Sequence, residues 1–301
     1  MAKKKTAKRA RRAKKTSKTK KATKRKATEK TSTTKQLSRK TAGPRASVKR
    51  HHLQRARKTS VPALVPGVVP AAPARFAGFD TGSYPGDNAI DKWGTQSPYS
   101  FVGFYFDAPC HTPKTFKTWS GKFPVIKASG LGLIIIYFGL QQEGCGHAHL
   151  SRAKGLEHGA DTIDKFTTEG FPNNAVVFLD VEHFNGSLSA PMEAYIRGWI
   201  SSILDSGKIT TGIYCPASKA DEIRVAAEKE FAAHGLSGGA PLFWVVNVAA
   251  GFNIATSQPT DSGVPFASAW QGQLDINEAH GGVTIRIDQN VADTRDPSRA
   301  T

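Results

Sequence analysis

The 301-residue sequence predicts an α/β protein: a single (β/α)8 TIM barrel over residues 75–301, preceded by a disordered basic tail. Three observations predict it. Positive charge is crowded into the first 60 residues. Eight short apolar, β-branched or aromatic runs then follow one another from Arg75 to Val291. Between several of them lie longer stretches with the apolar spacing of helices. Eight strands with intervening helices over about 227 residues match the usual size of such a barrel.

Residues 1–60 hold 25 Lys and Arg against one acidic residue, Glu29, whereas residues 61–301 hold 17 basic and 23 acidic residues. The net charge of +18 therefore describes a cationic tail on a mildly acidic globule. Beyond Met1, the only apolar side chains in the tail larger than Ala are Leu37, Val48 and Leu53. So little apolar surface cannot offset chain entropy, so the tail is expected to be disordered. Its charge predicts salt-sensitive attachment to an anionic polymer: nucleic acid, teichoic acid or an anionic membrane surface. A merely solvated tail is the plainer alternative. Residues 61–74 carry four prolines and read as an extended Pro/Ala/Val linker. Ala72-Pro73-Ala74 loosely imitates a signal-peptidase site, but the basic region is too long and the apolar part too broken for an ordinary signal peptide. No apolar run of 18 residues exists, so no transmembrane helix is expected.

The eight runs are Arg75–Thr81, Phe101–Asp107, Leu131–Gly139, Ala175–Glu182, Thr211–Cys215, Leu242–Val248, Ser268–Gln271 and Thr284–Val291. Central runs such as LIIIYF are continuously apolar, as parallel strands covered on both faces require. Ser151–Glu169, Ser189–Ser206 and Ala217–His234 read as helices. The second starts with a Ser N-cap and an early Pro, and the third is stopped by Gly235. The last crossover helix reads as short or missing. A doubly wound open sheet is the alternative, but GFDTGSYPG after the first run lacks the G-x-G-x-x-G spacing of a dinucleotide turn. No cofactor is expected.

Barrel chemistry sits at the C-terminal ends of the strands. Asp80, Asp180, Glu182 and Asp288 fall there on the first, fourth and eighth runs. Tyr105, Tyr137, Tyr214, Asn247 and Gln271 hold similar places on the others and are expected to bind substrate. Asp180 and Glu182, two apart on a strand, point to one face. Like-charge proximity should then raise one pKa, giving one protonated acid and one ionised base. Glycoside hydrolysis needs that division. A solvated rim is the plainer reading of any one of these acids, but four of them ending three strands favour a shared polar site.

The segments GFDTGSYPG (78–86), FVGFYF (101–106), IIIYFGLQQ (134–142), FLDVE (178–182), AYIRGWISSILDSG (194–207), TGIYC (211–215), FWVVN (243–247), WQ (270–271) and RIDQNV (286–291) stand in a familiar order. Together they resemble the bacterial glycoside-hydrolase-like domain of unknown function of secreted actinobacterial type. That domain is in turn similar to the family-25 glycoside hydrolases, the lysozyme-like muramidases. The resemblance implies a barrel acting on a peptidoglycan-like amino-sugar polymer, in a secreted or cell-wall-associated protein. It implies Glu182 as general acid and Asp180 as its electrostatic or base partner. Asp80 and Asp288 match the first- and last-strand aspartates, and Gln271 the Trp-Gln pair. Asn247 departs from the Trp-x-Ala pattern, and Gly272 stands where an aromatic usually follows Trp-Gln.

Other signals are weaker. Cys145, His147 and His149 are too tightly spaced for a standard zinc site. Cys110-His111 could suggest a thiol nucleophile with its base, but adjacent residues seldom have that geometry. Three scattered cysteines allow at most one bridge. His183 should face away from Glu182, and Trp199 reads as core. A monomer is expected. The competing functional readings are a glycan-binding barrel without turnover, and a nucleic-acid or other polyanion binder acting through its tail.

Overall fold

The computed structural model describes residues 75–301. The basic tail and the Pro/Ala/Val linker, with the polyanion binding expected of the tail, lie outside the described residues. Strand β1 (Phe76–Asp80) is followed by α1 (Asp87–Gln96), β2 (Phe101–Tyr105), α2 (Phe123–Ser129), β3 (Gly132–Phe138) and α3 (Arg152–Glu169). Then come β4 (Val176–Asp180), α4 (Ala190–Ser206), β5 (Thr210–Pro216), α5 (Ala220–Ala233), β6 (Leu242–Val246), β7 (Ala267–His280) and β8 (Val283–Ala292). Strands pair in chain order and β8 closes on β1, so the expected α/β barrel forms. Ser151 and Ser189 cap α3 and α4 through side-chain bonds to the Lys154 and Met192 amides.

The last quarter departs from strict strand–helix alternation. Among the described residues there are five α-helices, and only a 3₁₀ turn at Pro259–Ser262 separates β6 from β7. β8 runs antiparallel to both β7 and β1. The cause is local: Gly281 and Gly282 both have positive φ, 58° and 77°, and turn β7 straight into β8. A two-residue turn with positive φ at both positions joins antiparallel strands, because its twist matches theirs. Beyond the barrel wall the hairpin end packs on α1. Trp93 Nε1 donates to the Val283 carbonyl at 3.0 Å, and the His280 ring stands edge-on to Trp93. The chain after β8 returns beneath the barrel, where Asp296 and Ser298 side chains accept from the Leu133 and Ile135 amides.

Side chains alternate across each strand. Phe101, Ile134, Ile136, Val176, Phe178, Trp244, Ala269 and Ala292 fill the barrel interior. The opposite faces of the strands, with Phe79, Ile135, Tyr137, Val177 and Val245, pack outward against helical residues such as Trp93, Ile196 and Trp199. Trp199 is fully buried, and its indole donates to Thr162 Oγ1 at 3.0 Å. Cys110 and Cys145 form a disulfide across 35 residues of chain, tying the β2–α2 loop to the β3–α3 loop, while Cys215 is buried and free. Bridged Cys110 is not a free thiol nucleophile.

Candidate active site

Each strand's inward alternation ends in one layer at the barrel mouth. A cavity of ≈ 180 Å³ there is lined by Tyr105, His111, Phe116, Phe138, Asp180, Glu182, Tyr214, Val246, Gln271 and Asp288, among others. Asp80, 1% exposed, lies in the floor of this layer. It accepts from the Tyr105 hydroxyl at 2.6 Å, Gln271 Nε2 at 2.8 Å and Asn290 Nδ2 at 2.7 Å. Trp244 Nε1 donates to Asn290 Oδ1 at 3.0 Å, which turns the Asn290 amide donor toward Asp80. Room for Asp80 is made by Gly103 on β2, where a Cβ would lie 2.5 Å from the Asp80 Cβ.

Asp288 reaches the mouth by a route the antiparallel strand makes possible. β8 delivers its N-terminal half to the top of the barrel, and the β1–β8 register sets Asp288 opposite Asp80. The Asp275 amide donates to Asp288 Oδ1 at 2.6 Å, with Asp275 in the left-handed region at φ 59°. Asp180 closes β4. Glu182 lies beyond the last residue of the strand, with its side chain 30% exposed. The Tyr214 hydroxyl donates to Gln271 Oε1 at 2.6 Å and lies 3.4 Å from Glu182 Oε2.

The electrostatics separate these acids. Burial raises the Asp80 carboxyl above the ordinary carboxylate range, and its three donors, Tyr105, Asn290 and Gln271, offset part of the rise. Burial lifts Asp180 well above the carboxylate range, and the Glu182 and Asp80 charges add to it. Asp180 Oδ1 is buried with no hydrogen-bond partner, so nothing there stabilises a charge. Glu182 is also raised by burial, and His183 and Tyr214 pull it partly back. Asp288 is pushed up to about 7 by burial and by Asp80. Tyr105 and Tyr214 are held well above their ordinary range, chiefly by burial, and stay protonated donors.

The structure thus brings Asp80, Asp180, Glu182, Asp288, Tyr105, Tyr214 and Gln271 together. Tyr137 and Asn247 it sets apart. Tyr137 has the outward parity of β3 and donates to Asp161 on α3 at 2.9 Å, while Phe138 takes the inward place. Asn247 follows inward-facing Val246 and folds its own loop, donating to the Ser262 carbonyl at 2.8 Å and accepting from the Ala249 amide at 3.1 Å. His183 also departs from expectation. Strand parity no longer applies past Asp180, and His183 Nδ1 stands 3.6 Å from Glu182 Oε1. Gly272 leaves space that Phe252 fills: a Cβ there would lie 2.0 Å from the Phe252 ring, which stands edge-on to Trp270.

Asn290, Phe116 and Phe138 line or support the site without being singled out in the sequence, and His111, considered there only as a base for Cys110, does so too. Asn290 could have been found from the inward parity it shares with Asp288. His111 stands in the site in another role than the one its neighbour Cys110 suggested. Its ring is sandwiched between Tyr105 and Phe116, with Nε2 2.6 Å from the Gly82 carbonyl, so the residue beside the disulfide sets the Tyr105 ring against Asp80. Burial lowers the His111 pKa, keeping the ring neutral. Open depressions continue the pocket on two sides. One shares Gly82, Phe116 and Asp288 with it, and the other shares Leu274 and leads to Phe252 and Val248. Among the described residues no cluster of His, Cys, Asp and Glu is arranged to hold a metal ion.

Comparison with known proteins gives a family and a set of folds. The family described as Rv2525c-like, glycoside hydrolase-like domain matches residues 91–292. No curated protein matches the chain by sequence. An uncharacterized B. stearothermophilus protein of known structure is 17% identical with a TM-score of 0.55, covering 75% of this chain and 100% of its own. The spore cortex lytic enzyme SleM of Clostridium perfringens is 13% identical with a TM-score of 0.51, covering 73% of this chain and 68% of its own. The modular autolysin LytC of Streptococcus pneumoniae is 12% identical with a TM-score of 0.50, covering 72% of this chain and 46% of its own. At these identities the likeness is one of fold.

Proposed function

Because the chain belongs to the Rv2525c-like, glycoside hydrolase-like family, we propose that its barrel hydrolyses a peptidoglycan-like amino-sugar polymer. One observation carries the proposal. Solvent-reachable Glu182, its carboxyl raised by burial, lines the pocket and lies within reach of the charge of Asp80, which is buried beneath it and takes three donors. Glu182 protonates the leaving oxygen, and the Asp80 charge stabilises the cationic sugar that forms. Asp288, near 7, is suited to take a proton from the attacking water. Asp180 is better placed as a neutral carboxylic acid than as the base. The names of the fold neighbours, a spore cortex lytic enzyme and an autolysin, support a wall polymer as substrate. Depressions on two sides of the pocket suit a chain longer than one sugar. The disulfide favours an oxidising compartment over the cytosol. Residues 1–60 hold the protein to an anionic polymer.

The test is release of reducing ends from purified cell walls by the full chain and by Glu182→Gln. The variant should lose roughly 100-fold or more, and equal release by both removes Glu182 from the mechanism. The narrowness of the pocket, ≈ 180 Å³, favours a second reading, a barrel that binds glycan without turnover. Wall binding without release would select it. The tail's part is read separately: retention on DNA or teichoic acid should fall steeply with salt and vanish when residues 1–60 are removed.

A further inference from the structure

We propose that Gln141 is a positioning residue for Glu182, clamping the chain where it leaves β4 so that the carboxyl enters the pocket. The proposal rests on Glu182 as the acid of the hydrolase reading. Ladder pairing between β3 and β4 ends at Phe138 and Asp180, so Glu182 has no strand partner to fix it. The Gln141 side chain supplies one. It is 1% exposed, and its Nε2 donates to the Gly139 and Asp180 carbonyls, each at 3.0 Å. Its Oε1 accepts from the Glu182 and His183 amides at 2.8 and 3.0 Å. A primary amide has two donors and two lone pairs, and all four are used on the backbone flanking the two acids. Gln141 is itself held: its backbone N–H donates to the carbonyl of disulfide-bonded Cys145 at 2.9 Å.

Gln142, the next residue, performs the same service elsewhere. Its side chain donates to the Asn185 and Ser187 carbonyls and accepts from the Ser189 amide, bracing the approach to α4 rather than the pocket. It is therefore the control for a merely structural glutamine.

The experiment uses the full chain with ¹³C-carboxyl-labelled glutamate, Glu182 being assigned by its loss in Glu182→Gln. In the wild type Glu182 should titrate above the ordinary glutamate range. In Gln141→Leu the freed segment should let the carboxyl into water, and its midpoint should fall toward the ordinary value. Gln142→Leu should leave the midpoint where it was. On cell walls Gln141→Leu should lower kcat roughly 100-fold with KM changed little, as misplacement of a reacting group does. If Gln141→Leu does not fold, Gln141→Met, close in size and without the amide's donors or acceptor, carries the same measurement. An unchanged Glu182 midpoint overturns the proposal. A fallen midpoint in a protein whose wild type releases no reducing ends sinks the hydrolase reading and leaves the positioning role standing.

Discussion

Asp288→Asn should make the protein more stable, and only above about pH 4. The Asp288 carboxyl is raised from 3.8 to about 7 by burial and by Asp80. Each pKa unit is 1.36 kcal/mol, so the full rise corresponds to about 4 kcal/mol. The pocket admits solvent, which screens part of this, and about 2 kcal/mol is the expected effect. A carboxyl with a raised folded pKa favours the fold while protonated in both states. That contribution is present below about pH 4 and is lost as pH climbs through 7. Asparagine cannot ionise and escapes the loss, and its Oδ1 can still accept the Asp275 amide. The contact from Gln271 Nε2, 3.4 Å in the wild type, is disturbed equally at every pH. Urea denaturation of both proteins at pH 4, 6 and 8 isolates the pH-dependent part. The variant should gain about 2 kcal/mol on the wild type between pH 4 and 8, the gain beginning just above pH 4, where the unfolded carboxyl ionises first. A difference independent of pH would refute the reasoning, because Asp288 would then ionise as an ordinary solvated carboxylate.

Two further outcomes follow from the same geometry. Replacing Cys110 and Cys145 by Ser should cost up to about 4 kcal/mol, the chain-entropy value for a 35-residue loop, read as a fall in the urea midpoint. Cell-wall release should fall as well, because His111 and Gln141 both sit beside the bridge. Gly103→Ala sets a methyl 2.5 Å from the Asp80 Cβ, so about 1–3 kcal/mol of stability should be lost with displacement of Asp80. Its Tm and its release of reducing ends should fall together, and a variant as active as wild type would show that Asp80 can shift without consequence.

Much was legible in the sequence because it depends on local pattern. The eight runs lie on the eight strands, and Asp80, Asp180, Glu182, Asp288 and Gln271 meet at one mouth, although Asp288 gets there on an antiparallel strand and not as a C-terminal strand end. The direction of β8 was missed by the count of strand–helix units, although the Gly281-Gly282 pair between two alternating stretches is a hairpin signal. Tyr137 and Asn247 mark the boundary of such reading. Composition says that a side chain ends a strand, but not which way it faces, since LIIIYF is apolar on both sides and offers no alternation to fix parity.

By itself, then, the chain determines a closed α/β barrel, a cationic N-terminal segment and an acidic strand-end layer, because charge, periodicity and residue type act over a few neighbours. Tertiary structure alone decided which tyrosines face inward, that Asp80 gathers three donors while Asp180 gathers none, and that Gln141 braces Glu182. Those outcomes depend on contacts between residues up to 210 apart in sequence, where burial and partner count set each carboxyl's charge.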